Sequence, residues 1–169
     1  MPEPKHMASP TPYASSDDFY RVFYQRTDEL YQLSLLLTGD HEKAEQCFVS
    51  GLENSAKGNR VFKEWACSWA RRAVIQCAVR VINPRPMEEG DSSSFNSGGK
   101  TPVVEETEIA AVLELRPFER FVYVMSVLER YSDQDCSVLL GCARRDVVAA
   151  RIRAFQQFET RSTLTLSDR

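Results

Sequence analysis

The sequence predicts an all-α protein in which two small helical domains are joined by a flexible acidic linker. Three observations carry this prediction. Apolar residues recur at helical spacing on both sides of residues 84–105, and no segment shows the two-residue spacing of a strand. Residues 84–105 themselves are rich in Pro, Gly, Ser and acids and have no periodicity. The second half contains two helical patterns separated by Gly141, which is typical of a helix-turn-helix.

Length and composition leave room for one domain or two small ones, because the chain has 169 residues of which 43% are hydrophobic. No apolar run approaches the roughly 20 residues that a membrane span needs. Residues 1–16 carry Pro and Ser but no apolar signal segment, so we expect a disordered lead-in and a cytoplasmic protein.

The cysteines predict a reducing compartment. They are odd in number and form no Cys-x-x-Cys pair, which favours buried thiols and leaves a redox or metal role as the alternative. We expect no metal and no cofactor, and we find no phosphate loop or catalytic grouping that would indicate an enzyme. The cysteines are Cys47, Cys67, Cys77, Cys136 and Cys142.

The first domain, residues 17–84, shows three helical patterns. The first runs from Asp17 to Leu37, and Gly39 ends it. The second follows Asp40 and stops near residue 57. The third runs from about Val61 to Ile82 and ends before a proline.

The acidic linker, residues 85–105, carries much of the net charge of −3, while the chain from Arg144 onward is mildly basic. Because the linker offers little apolar surface, we expect the two halves to fold independently. Helical spacing resumes over residues 106–160, and a tail follows at 161–169.

The second domain contains the helix-turn-helix pattern. Ser132 is a suitable N-cap and Asp135 lies three residues later, as in a capping box. Gly141 ends this short helix, and a longer helix begins at Arg144. In such a motif the second helix enters the major groove of DNA. The alternative is that the same pattern simply folds a small helical bundle.

Residues 115–158 resemble, without a gap, the C-terminal DNA-binding segment of the extracytoplasmic-function (ECF) sigma factors. The family has Leu-Pro and then an Arg, a Ser-capped helix, Leu-Gly and a recognition helix ending in Arg-Ala. Here the corresponding residues are Leu115 to Arg120, Ser132, Leu140-Gly141 and Arg153-Ala154.

The first domain resembles the polymerase-binding and promoter-melting region of the same family. The stretch Leu30 to Leu33, then Gly39-Asp40 and Ala44-Glu45, matches its opening helix pair. Phe62-x-x-Trp65 followed by Ala70-Arg71 matches its next helix.

The resemblance implies a transcription initiation subunit whose partners are core RNA polymerase and promoter DNA, with an anti-sigma protein as a further candidate partner. The implied DNA-binding residues are Arg71, Arg72, Arg80, Arg144, Arg145, Val148, Arg151 and Arg153. The implied polymerase-binding residues are Glu42, Glu45, Gln46, Val49 and Ser50.

Several of these positions depart from the family pattern. Gln46 replaces an Asp, and Val49-Ser50 replace Gln-Glu. On the recognition helix, residues 146–150 replace Thr-Val-Lys-Ser-Arg, so Val148 and Ala150 offer a thymine methyl contact but no hydrogen bond to a base edge. Two other functions therefore stay open: a sigma-like adaptor that reads little DNA, and an ordinary helix-turn-helix regulator with a fused helical domain.

Tryptophans on the third helix leave a similar choice. Trp65 and Trp69 would serve strand separation if exposed, since unstacked bases bind to aromatic faces. Aromatic residues at helical spacing are more often part of a core, and the sequence favours that interpretation.

Overall fold

The computed structural model describes residues 11–57, 60–86 and 108–167, and over these ranges the protein is built from helices, which confirms the all-α class. Parts of the predicted lead-in, residues 1–10, and of the linker, residues 87–105, lie outside the described residues. The helices are α1 (Ser16–Gln25), α2 (Thr27–Thr38), α3 (His41–Ala56), α4 (Ala66–Ile82), α5 (Glu108–Leu113), α6 (Pro117–Tyr123), α7 (Asp133–Leu140) and α8 (Arg144–Ser167). A 3-10 turn, Lys63–Trp65, precedes α4, and a π-helical turn, Val124–Leu128, follows α6.

The first predicted helix is in fact two helices, which corrects the single pattern from Asp17 to Leu37. Arg26 leaves helical geometry, with φ −120° and ψ 30°. The Thr27 hydroxyl donates to the carbonyl oxygens of Phe23 and Tyr24, at 2.8 and 3.0 Å. This competition for the backbone acceptors explains the break, which the apolar spacing alone did not reveal.

The residues before α1 are tied to the start of α4. The Ala14 amide donates to the Val61 carbonyl at 2.7 Å, and the Lys63 amide donates to the Pro12 carbonyl at 3.0 Å. Ser15 then caps α1 through a complete capping box with Asp18. The last residues of the predicted lead-in, from Pro12 onward, are therefore held against residues 61–63, just before α4.

The apolar core extends through both halves of the described chain. In the first half, α3 and α4 approach so closely at Gly51 that a Cβ there would lie 2.9 Å from Cγ2 of Val74. The same cluster of buried side chains continues into the second half, where its members include Val112, Phe118, Phe121, Val122, Met125, Cys136, Leu140 and Val147. This shared core differs from the expectation that the two halves fold independently, which was based on the linker offering little apolar surface.

A buried arginine joins the halves. Arg120 on α6 is only 7% exposed, and its guanidinium donates to the carbonyl oxygens of Leu37 at 3.3 Å and Thr38 at 3.1 Å. It also donates to the Leu113 carbonyl at 3.1 Å. The acceptors at residues 37 and 38 are among the carbonyls that the end of α2 leaves unpaired. Burial lowers the pKa of Arg120, yet a guanidinium stays charged in proteins.

An ion pair forms a second connection. Arg71 on α4 donates to both carboxylate oxygens of Glu129, at 2.7 and 2.6 Å, and to Glu29 on α2 at 3.2 Å. The hydrogen bonds to Glu129 raise the pKa of Arg71 above its ordinary value. Because this pairing is bidentate and partly buried, it fixes the geometry more strongly than an exposed ion pair would.

Within the described ranges, no helix is long and apolar enough to cross a lipid bilayer.

Two glycines with the same backbone conformation provide a test of the contact between the halves. Gly39 and Gly141 have φ values of 68° and 63°. Alanine at residue 141 would meet no atom within 4 Å, so G141A should lower the free energy of unfolding by about 1 kcal/mol from backbone strain alone. Alanine at residue 39 would lie 2.9 Å from Nη1 of Arg120. Because that guanidinium is held by several carbonyls, we expect G39A to cost at least about twice as much.

The measurement is chemical denaturation of the two variants side by side. Equal losses of stability for G39A and G141A would contradict the close fit of Arg120 over Gly39.

Candidate nucleic-acid interface

The α7 and α8 helices are joined by a tight turn that hydrogen bonds fix. The Asp135 amide donates to the Ser132 hydroxyl oxygen at 3.1 Å, which caps α7 as the sequence predicts. Gly141 ends α7 in the left-handed region. Across the turn, the Cys142 amide donates to the Ser137 carbonyl at 3.1 Å, and the Ser137 hydroxyl donates to the Cys142 carbonyl at 2.8 Å. The start of α8 is therefore rigidly placed relative to α7.

Two of the four candidate arginines of α8 lie in solvent. Arg144 and Arg145 occupy its first turn and are exposed. Arg145 lies 3.8 Å from Asp146, and the Asp146 carboxylate accepts from the Ala143 amide at 3.0 Å. The exposed helix N-terminus thus combines two cations with a nearby carboxylate, which partly offsets the attraction that a helix N-terminus has for phosphate.

The other two candidate arginines are half-buried and form ion pairs with carboxylates of neighbouring helices. Arg151 donates to Asp133 on α7 at 2.5 and 3.3 Å, and this hydrogen bonding holds the pKa of Asp133 below its ordinary value. Arg153 donates to Oε1 of Glu119 at 2.9 Å. Glu119 is buried, and its Oε2 has no hydrogen-bond partner among the described residues. Both arginines therefore hold α8 against its neighbours.

The two apolar candidates of α8 point in different directions. Ala150 is fully buried in the core, so its expected contact with a thymine methyl is wrong. Val148 is half-buried and remains on the accessible side of the helix. The error arose because the family pattern places residue 150 near DNA, while here an Ala fills a position that packs inward.

The three candidate arginines of α4 are also unequal. Arg71 is engaged by Glu129 and Glu29. Arg80 is exposed, and its guanidinium donates to Sγ of Cys77 at 3.1 Å. Arg72 is half-buried. Binding of DNA by Arg71 would require the loss of its ion pairs with both carboxylates.

Exposed aromatic rings lie at the start of α4, where the sequence favoured a core role for the tryptophans. Trp65 is 58% exposed, which corrects that interpretation, whereas Trp69 packs beside the small core of Phe19, Val61 and Ala66. The Trp65 ring meets the Phe62 ring edge-on at 5.4 Å.

A third exposed ring, from the N-terminal segment, joins these two. Phe62 stacks on Tyr13 with ring centroids 5.0 Å apart, and Arg60 lies 6.0 Å from the centre of the Tyr13 ring. We call Tyr13, Phe62 and Trp65 the aromatic patch. The Phe-x-x-Trp spacing indicated two of its members, but Tyr13 reaches it through the contact of Pro12 and Ala14 with residues 61–63, which no local pattern predicts.

The candidate polymerase-binding residues lie along α3. Glu42, Glu45, Gln46 and Val49 are exposed, while Ser50 is half-buried. Near the N-terminus of the same helix, the Tyr31 hydroxyl lies 3.1 Å from Nδ1 of His41. The surface thus offers two carboxylates and one exposed valine to a partner.

The cysteines of the described chain are all free thiols. Cys47, Cys77 and Cys136 are buried, and Cys67 and Cys142 are half-buried. Burial raises the pKa of Cys47 and of Cys136 to about 11, so both thiols stay protonated near neutral pH. Among the described residues, no group of three His, Cys, Asp or Glu side chains is placed to hold a metal ion.

In comparisons with known proteins, no family model matched the chain and no curated protein matched it.

The Asp133–Arg151 pair should make stability depend on pH. The pKa of Asp133 is depressed in the folded protein, so the pair contributes fully above the unfolded value of about 3.9 and is lost as pH falls below it. We expect D133N to lower the free energy of unfolding at pH 7 by about 1 kcal/mol, since the pair is partly solvent-accessible. The deficit should shrink as pH falls from about 4 toward 2.

The test compares denaturation curves of the D133N, R151Q and double variants at pH 7 and at about pH 2. A deficit for D133N that stays constant with pH, or additive effects of the two substitutions, would contradict the pair.

The exposed arginines of α8 should control any binding of duplex DNA. We expect weak, strongly salt-dependent binding with little sequence preference, because the contacts are to phosphates. Replacing Arg144 and Arg145 by Ala should weaken binding to all duplexes alike and reduce the slope of log affinity against log salt by roughly 1 to 2.

Salt titrations of duplex binding measure this slope. A matched control removes the same charge elsewhere, at the exposed Arg21 and Lys57, and should leave the slope nearly unchanged. A preference of about a thousandfold for one sequence at moderate salt would contradict phosphate-only binding.

Proposed function

We propose that this protein is a sigma-type subunit for transcription initiation, which binds core RNA polymerase through α3 and contacts promoter DNA. The observation that carries the proposal is the aromatic patch. Its three rings are exposed, and the Phe62 ring contacts both the Tyr13 ring and the Trp65 ring. Arg60 and Lys63 lie next to Phe62 and Trp65 in sequence. Exposed rings beside cations suit unstacked bases and their phosphates.

The position of the patch supports the same function. Phe62 and Trp65 belong to the segment that resembles the promoter-melting region of ECF sigma factors. Burial of these rings would stabilise the fold, so a Trp side chain exposed in contact with a second exposed ring marks a surface for a ligand. In the proposal, the patch holds bases of the opened strand.

In the same proposal, the α7 and α8 helices act as a helix-turn-helix on the upstream promoter element, and residues 85–105 form the acidic linker between the two halves. Arg144 and Arg145 contact phosphates from the first turn of α8. The ion pairs of Arg151 and Arg153 fix the orientation of α8, and these two arginines do not contact DNA in the proposal.

A second candidate function is that of a sigma-like adaptor, which binds polymerase or an anti-sigma protein without reading DNA. The pairing of Arg71, Arg151 and Arg153 with carboxylates favours it, because these three of the candidate DNA-binding residues are already engaged. The two functions differ in whether the protein reads DNA, and an adaptor that binds polymerase shares the polymerase contact with the sigma function.

The distinguishing experiment is a pull-down with core RNA polymerase followed by promoter-dependent transcription in vitro. Binding with transcription supports the sigma function, whereas binding without transcription supports the adaptor. Failure to bind polymerase would contradict the sigma function and would leave only an adaptor that binds an anti-sigma protein.

The aromatic patch has its own test. The W65A variant should bind a short single-stranded oligonucleotide about ten-fold or more weakly, because stacking of one base contributes about 1 to 3 kcal/mol. Affinity is measured by fluorescence anisotropy of a labelled oligonucleotide.

Tyr24 provides the matched control, since it is an aromatic residue 85% exposed on α1 that belongs to no ring contact of the patch. We expect Y24A to leave the affinity unchanged. Equal losses for W65A and Y24A would remove the support that the patch gives to the sigma function.

A further inference from the structure

The α8 helix presents a distinct surface on the side that faces away from the core. Its inward side is set by Val147, Ala150 and Ala154, which are all fully buried. On a helix of 3.6 residues per turn, a second set of residues lies opposite these three. We call this set the outward face of α8; it consists of Arg145, Val148, Ala149, Ile152, Phe155, Gln156 and Glu159.

The middle of the outward face is apolar. Ile152 is 52% exposed and Phe155 is 44% exposed, and Val148 and Ala149 lie one turn before them. A helix on the surface of a globular protein usually directs polar residues to solvent. A single exposed hydrophobic residue needs no explanation, but four on one face form a continuous stripe.

The ring of Phe155 is held in place within this stripe. It meets the Tyr123 ring edge-on at 5.8 Å between centroids. The stripe is therefore anchored on α6 and does not need to rearrange before it binds a partner, which reduces the entropic cost of association.

The two ends of the outward face carry opposite charges, with Arg145 near the N-terminus of α8 and Glu159 fourteen positions later. Ile152 lies midway between them. If a second α8 runs antiparallel with its own Ile152 opposite the first, Arg145 meets Glu159 of the other copy. In the same register the small Ala149 faces the large Phe155, so large and small side chains alternate across the contact.

We propose that the outward face of α8 binds a second copy of this chain as an antiparallel, two-fold symmetric helix pair. Such a symmetric contact needs a face that complements itself, and the charges and side-chain sizes meet that condition. A parallel pair would bring Arg145 against Arg145 and is disfavoured. Beyond Arg145, this face matches duplex DNA poorly, because phosphates are uniformly acidic while the face is apolar in its middle and acidic at its far end.

The size of the face sets the strength of the dimer. A stable interface buries about 800 Å² on each partner, and four partly exposed side chains supply only a fraction of that area. The dimer is therefore reversible, with a dissociation constant in the micromolar range or weaker, on the order of 10 to 100 μM. The proposal does not depend on the sigma-type function, but the dimer and the proposed contact with DNA both use Arg145 and therefore compete.

The first experiment is analytical ultracentrifugation of the full chain over a concentration series that extends to about ten times this range. We expect a shift from monomer to dimer. I152E should raise the dissociation constant at least about ten-fold, because it places two carboxylates on the two-fold axis. The matched control is V138E, on the exposed valine of α7, and it should change nothing.

Circular dichroism of each variant checks that it folds, which we expect because the substituted positions are exposed. A chain that stays monomeric at the highest concentration overturns the proposal, and so does an equal effect of I152E and V138E. Loss of duplex DNA binding in I152E without any change in mass would assign the face to DNA instead.

A charge exchange tests the antiparallel direction. R145E alone should weaken the dimer, and the double variant R145E/E159R should restore it to within a few-fold of the original dissociation constant. Restoration supports the proposed register. A double variant that dimerises no better than R145E excludes the pairing of residues 145 and 159 and overturns the antiparallel arrangement.

Discussion

The buried guanidinium of Arg120 is the constraint on which the arrangement of the helices depends. A charge taken out of water must find hydrogen-bond acceptors, and here they are carbonyls at the end of α2 and the end of α5. The left-handed Gly39 leaves the space that the guanidinium occupies. Because the donor lies on α6 and the acceptors on both halves, the halves are fixed in one orientation, and the apolar cluster can continue across the boundary between them.

In this arrangement, several arginines that the sequence indicated as DNA-binding residues instead stabilise the fold. Arg71 joins α4 to Glu129, Arg151 joins α8 to α7, and Arg153 joins α8 to the buried Glu119. A guanidinium in a bidentate pair is geometrically committed, and its release would leave a carboxylate without its partner. The candidate DNA-binding arginines that remain exposed are Arg80 on α4 and Arg144 and Arg145 at the N-terminus of α8. The aromatic patch lies apart from α8, before and at the start of α4. In our proposal the contact with nucleic acid is therefore divided between two separate surfaces.

Local signals in the sequence were sufficient for most of the helices and their caps. Ser132 and Gly141 were identified because capping and left-handed geometry depend on the residue itself and its near neighbours. Arg120 and Tyr13 were missed as structural residues, since their partners lie far away in sequence, at Leu37 and Phe62. Trp65 was misplaced for a related reason: helical spacing defines a face but does not say whether another helix covers it.

The central claim, that the two halves form one unit through Arg120 and the shared core, is tested most directly by equilibrium unfolding with a probe in each half. Trp65 and Trp69 both lie in the first half, so tryptophan fluorescence reports on it alone. Hydrogen exchange of the α6 and α8 amides, measured at the same denaturant concentrations, reports on the second half. Our account predicts a single transition with one midpoint for both probes. Two separated midpoints, with the second half opening while the tryptophan signal stays native, would contradict it.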